Sequence, residues 1–161
     1  MQDGIILSCK IGEKKYDKDY NMGSRGQALK SGGFTEYKYH TIARYNNVRF
    51  VVQNEGKRVK LPEMSNSRWA VYATLGKDGY IKSVSFYNGG RKKYKEIDLI
   101  DHKGLGIHVH TCNPKTSLRI DYEIPPRKLT AYETSRLNRI INFYNKHNLK
   151  EKTTNYYDGG K

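Results

Sequence analysis

Arg68-Trp69-Ala70-Val71-Tyr72-Ala73-Thr74-Leu75, then Gly76-Lys77-Asp78-Gly79, then Tyr80-Ile81-Lys82-Ser83-Val84-Ser85-Phe86-Tyr87: two runs rich in β-branched and aromatic residues flank a turn containing Asp-Gly. Such side chains suit a pleated, half-buried surface, and Asp-Gly readily adopts the left-handed backbone of a tight hairpin. A β-hairpin is therefore expected, and its flanks extend it. Downstream, Asn88-Gly89-Gly90 turns the chain into Lys93–Leu99, where Tyr94, Glu96 and Asp98 alternate with Lys95, Ile97 and Leu99. Upstream, Tyr45-Asn46-Asn47-Val48-Arg49-Phe50-Val51-Val52 reads as a turn feeding a strand, which Leu61-Pro62-Glu63-Met64 breaks. The middle of the chain is an antiparallel meander.

After Gly104 and Gly106, Ile107-His108-Val109-His110-Thr111-Cys112 alternates as a strand, with His108, His110 and Cys112 on one face. Leu118-Arg119-Ile120-Asp121-Tyr122-Glu123-Ile124 reads as a further strand, stopped by Pro125-Pro126. Thr130-Ala131-Tyr132-Glu133 is a capping box, and Leu137, Ile140, Ile141 and Tyr144 follow at helical spacing, with Lys146 and His147 at the negative end of the helix dipole. The expected fold class is α+β: a twisted antiparallel β-sheet with one or more packed helices. Residues 1–161 read as a single domain. Residues 1–44, rich in Gly, Lys and Tyr, form a loosely structured or peripheral lead-in; 45–148 form the core; the polar stretch 149–161 is a flexible tail.

Thirty Lys and Arg stand against 16 Asp and Glu, a formal net charge of +14. Each phosphate neutralised by such a surface releases condensed counterions, so the balance points to a polyanion, and nucleic acid is the favoured one. Only 36% of residues are hydrophobic, but 14 tyrosines add rings that bury one face and keep the hydroxyl wet. The set Trp69, Tyr72, Tyr80, Phe86 and Tyr87 is read as core packing rather than as a base-stacking platform. No apolar run approaches the ~20 residues that span a bilayer, so no membrane anchor is expected. Two cysteines, Cys9 and Cys112, make neither a disulfide scaffold nor a structural zinc site and allow one bridge between them.

His102, His108 and His110 are three of five histidines, packed into nine residues. Imidazole is the side chain whose unperturbed pKa lies near neutrality, so two of them can serve as base and acid together. RNA cleavage by attack of the 2′-hydroxyl on its own phosphodiester needs such a pair, plus a cation for the phosphorane charge. His110 and His102 are the candidate acid and base, their order unassigned, with His108, Arg91 and Lys93 holding the phosphate and Thr111 as a hydrogen-bond donor. Lys92, Lys93, Lys95, Lys103 and Arg119 are the candidate nucleic-acid contacts. No cofactor is required.

Around these residues the chain resembles the C-terminal toxin domains of bacterial polymorphic (contact-dependent or phage-associated) toxins, in the group of metal-independent ribonucleases related to barnase, EndoU, colicin and RelE. The resemblance is carried by Glu55-Gly56-Lys57-Arg58-Val59-Lys60-Leu61-Pro62, Trp69-Ala70-Val71-Tyr72-Ala73, Gly76-Lys77-Asp78-Gly79, Gly90-Arg91, Ile97-Asp98, Asp101-His102 and His108-Val109-His110. The chain departs from that pattern: the gap from His102 to His108 is short, Ile107 stands where a proline is expected, and no aromatic closely follows His110. The resemblance implies a barnase/EndoU/RelE-like sheet, RNA as substrate, an acidic immunity protein as partner, and action in the bacterial cytoplasm after secretion or delivery within a larger protein.

Two other readings use the same residues. A non-catalytic nucleic-acid-binding protein, such as a phage module or an inhibitor of a nucleic-acid enzyme, would need the charge without the histidines. A metal-dependent nuclease would use His102, His108 and His110 as ligands with Asp98 or Asp101 beside them.

Overall fold

A computed structural model describes residues 39–53, 65, 67–101 and 104–159. Six strands follow one another in sequence and in space: β1 (Tyr39–Tyr45), β2 (Val48–Gln53), β3 (Val71–Leu75), β4 (Ile81–Tyr87), β5 (Lys93–Asp98) and β6 (His108–Thr111). Helices α1 (Ala131–Lys146) and α2 (Leu149–Gly159) complete an α+β fold. Every neighbouring pair is antiparallel except β2 and β3, which pair in parallel from Val48↔Val71 to Val52↔Leu75. A parallel pair needs a crossover connection to bring the chain back to the starting end.

The hairpin forms as its sequence dictates. Gly76 N–H donates to Tyr80 O, Gly79 N–H to Gly76 O, and Asp78 Oδ1 accepts from Tyr80 N–H. Gly79 has a φ of +84°, a conformation that costs glycine nothing. Cross-strand register divides the sheet into two chemically different faces. Ala43, Phe50, Ala73, Val84, Ile97 and Val109 fall in one row and are buried together. α1 covers this face with Leu137, Ile140, Phe143 and Tyr144. The opposite face carries Tyr72, Ser85, Glu96 and His110 in one row, and Thr74, Ser83, Asp98 and His108 in the next. The histidines thus lie across the sheet from the helices.

α1 begins with the expected reciprocal cap: Glu133 N–H donates to Thr130 Oγ1, and Thr130 N–H donates to Glu133 Oε1. Glu133 also takes Arg127 on both carboxylate oxygens and Lys95 Nζ at 3.0 Å. The Arg127 guanidinium foremost, helped by Thr130 and Lys95, outweighs burial and holds this carboxyl well below its usual range.

Four sequence expectations differ from the structure. β1 begins at Tyr39, inside the stretch expected to be peripheral, because Ala43 packs in the core and Tyr45 stacks on Phe143 with ring centroids 4.9 Å apart. Residues 149–159 are helical rather than a flexible tail: Leu149 and Thr153 are fully buried, and Tyr156 and Tyr157 pack on the core. Leu118–Ile124 forms no strand, since Glu123 and Ile124 N–H both fold back on Ile120 O as a turn. Tyr72, Phe86 and Tyr87 are buried, but Trp69 is 62% exposed, at a φ of +56°, and Tyr80 is also exposed. Trp69 lies against Gly89, where any Cβ would meet its ring at 2.9 Å.

Cys112 is a buried free thiol whose pKa burial pushes up, and the expected partner Cys9 lies outside the described residues. Among the described residues no helix is long and apolar enough to cross a membrane.

Candidate active site

β6 is short because Gly104 and Gly106, both at positive φ, fold the chain immediately before it. That turn brings Gly106 O to within 2.7 Å of His108 Nδ1. After β6 the chain reverses through residues 113–117 and returns beside it, held by the Cys112↔Arg119 and Val109↔Arg127 bridges. The returning segment places Asp121 Oδ1 2.9 Å from His110 Nδ1. It also brings Arg119 Nη2 to 2.6 Å from Glu96 Oε1 and 3.7 Å from Asp98 Oδ2. Lys93 Nζ meets Glu96 Oε2 at 2.9 Å.

The two imidazoles meet directly, with His108 Nε2 3.0 Å from His110 Nε2. A carbonyl oxygen and a carboxylate oxygen can only accept, so Nδ1 of each ring carries a proton and donates it. Both Nε2 atoms then present lone pairs to one another, and lone pairs at hydrogen-bond distance repel unless a positive charge lies between them. A proton or a cation at that point would make the contact attractive. His108 is 1% exposed and His110 5%, so water does not replace the contact, whereas Arg119 and Asp121 reach solvent. Asp98 Oδ2 lies 4.0 Å from His110 Nε2, on the same buried face.

No family profile, curated protein or solved structure matches the chain.

Of the residues singled out in the sequence, His108, His110, Lys93 and Arg119 come together. Glu96 bonds both Lys93 and Arg119; burial alone would raise its pKa, but these two cations outweigh burial and lower it. Lys95 points to the other face, where its Nζ meets Glu133 and lies 4.6 Å from the Phe86 ring centroid. Thr111 is on that opposite face as well, two residues from Val109 and in register with Lys95. Arg91 is exposed in the β4–β5 turn, at the end of β5 remote from Asp98, and Lys92 N–H bonds Asn88 Oδ1 in the same turn. His102 and Lys103 lie outside the described residues. Sequence reasoning missed Asp121 as the partner of His110. The two are eleven residues apart across a reversal that no periodic pattern announces, and the nearest signal was an acidic residue just before the Pro125-Pro126 stop.

Proposed function

We propose that the protein is an endoribonuclease that cleaves RNA by attack of the 2′-hydroxyl on its own phosphodiester, with no metal in the reaction. The observation that carries this reading is the His108–His110 contact, in which an acceptor oxygen holds Nδ1 of each ring and the two Nε2 atoms face one another. Asp121 fixes the tautomer and orientation of His110, as a carboxylate behind a catalytic imidazole does.

In this reading the pair is the acid. His110 Nε2 gives its proton to the departing 5′ oxygen when the ring turns from His108 toward the substrate. His102 is the proposed base that takes the 2′-hydroxyl proton. Arg119, the exposed cation of the cluster, stabilises the phosphorane charge, with Lys93 behind it. The +14 charge holds the RNA. The fold resemblance to the barnase and RelE group and the associated immunity partner belong to the same proposal, supported by the residues that carry the resemblance.

The test is cleavage of a single-stranded RNA and of DNA of identical sequence, in EDTA. RNA is expected to be cut and DNA spared, because DNA lacks the nucleophile. Comparable cutting of DNA, or loss of RNA cleavage in the chelator, contradicts the proposal.

A further inference from the structure

The point between His108 Nε2 and His110 Nε2 suits an ion larger than a proton. His108 Nε2, His110 Nε2 and a carboxylate oxygen of Asp98 all lie within 4.8 Å of one another, and all three residues are buried. Two imidazole nitrogens on one tetrahedral zinc ion, each at about 2.0–2.1 Å from it, sit roughly 3.3 Å apart. The observed 3.0 Å needs only a slight opening of the rings, and Asp98 Oδ2, now 4.0 Å from His110 Nε2, needs a small approach. Asp98 Oδ1 accepts from Ile100 N–H, and Oδ2 lies 3.7 Å from Arg119 Nη2 and 4.0 Å from His110 Nε2.

The surroundings are those of a built site. Gly106 O and Asp121 Oδ1 hold the two Nδ1–H groups, the outer-shell arrangement that orients imidazoles on a metal. Two nitrogens with one carboxylate select zinc and its transition-metal neighbours over magnesium and calcium, which prefer all-oxygen sets. Arg119 and Asp121 are the exposed members of the cluster around these three residues.

We propose that Asp98, His108 and His110 bind a divalent zinc-class ion at the point between the two Nε2 atoms, and that this ion switches the ribonuclease off by occupying the nitrogens its chemistry needs. The binding stands on geometry alone; the inhibition rests on the ribonuclease reading above. Bound zinc occupies both Nε2 lone pairs, so the pair cannot deliver a proton while the ion remains.

The test uses the full chain, stripped with EDTA and desalted. Titration with zinc by calorimetry is expected to show one ion per chain, and cobalt is expected to give the visible absorption of a nitrogen-bound tetrahedral ion. Asp98→Asn, which keeps the shape, is expected to weaken zinc at least tenfold. Asp121→Asn, acting only through His110, is expected to weaken it about 10- to 100-fold. Absence of saturable binding to the parent protein, or unchanged affinity in both variants, overturns the site. Cleavage of RNA is read in parallel: one equivalent of zinc is expected to stop it and EDTA to restore it. Zinc binding with RNA cleavage undiminished, or stimulated, overturns the inhibition. Zinc binding to a chain that never cuts RNA, with or without EDTA, leaves the site standing and removes the ribonuclease reading together with the inhibition.

Discussion

His110→Ala lowers the rate of RNA cleavage by about 10²–10⁴-fold, the range that a positioned proton-transfer group supplies. The mutation removes the ring that Asp121 orients and breaks the contact with His108. The variant is expected to stay folded, because His110 lies on the polar face and the helix-packed core lies on the other. RNA affinity is expected to change less than twofold, since proton transfer belongs to the transition state and the binding charge is elsewhere. Single-turnover cleavage with a filter-binding measurement on the same preparation separates the two quantities. A variant that cuts at the parental rate removes His110 from the chemistry.

Phe143→Ala produces the largest loss of stability, about 3–5 kcal/mol, as expected for an aromatic ring deleted from a packed core. Phe143 stacks on Tyr45 at 4.9 Å and on Phe50 at 5.5 Å between centroids, and it contacts His147 at 4.2 Å. It therefore ties β1, β2 and the end of α1 together. Urea unfolding checks the figure, with the midpoint falling and the slope unchanged. A loss below 1 kcal/mol would mean that the ring is not held as the structure places it. In conditions where the variant remains folded, its cleavage rate is expected to match the parent's, because this side of the sheet carries none of the proposed chemistry.

What could be read from the sequence was what local rules govern. Asp78-Gly79 and the flanking β-branched runs gave the β3–β4 hairpin, Thr130 and Glu133 gave the start of α1, and the two-residue period placed His108 and His110 on one face. The rest depends on contacts distant in sequence. The parallel β2–β3 pairing joins strands separated by a long stretch of sequence, and no periodicity records its direction. α2 has a polar sequence and is stabilised by burying Leu149 and Thr153 and by its tyrosines against the sheet, a gain invisible from propensity. Lys95 looked like a phosphate contact because it adjoins the histidine segment, yet alternation along β5 sends it to Glu133 on the far face. Asp121 reaches His110 only because the chain reverses after β6.

The central claim is that the 2′-hydroxyl is the nucleophile and that the histidines move the protons. It is tested most directly by determining the ends left on a short RNA of defined sequence, cleaved by the full chain in EDTA and examined by mass spectrometry. The account predicts a 2′,3′-cyclic phosphate on the upstream fragment and a free 5′-hydroxyl on the downstream one. A 5′-phosphate with a free 3′-hydroxyl would contradict it, since water activated by another route would then be the nucleophile.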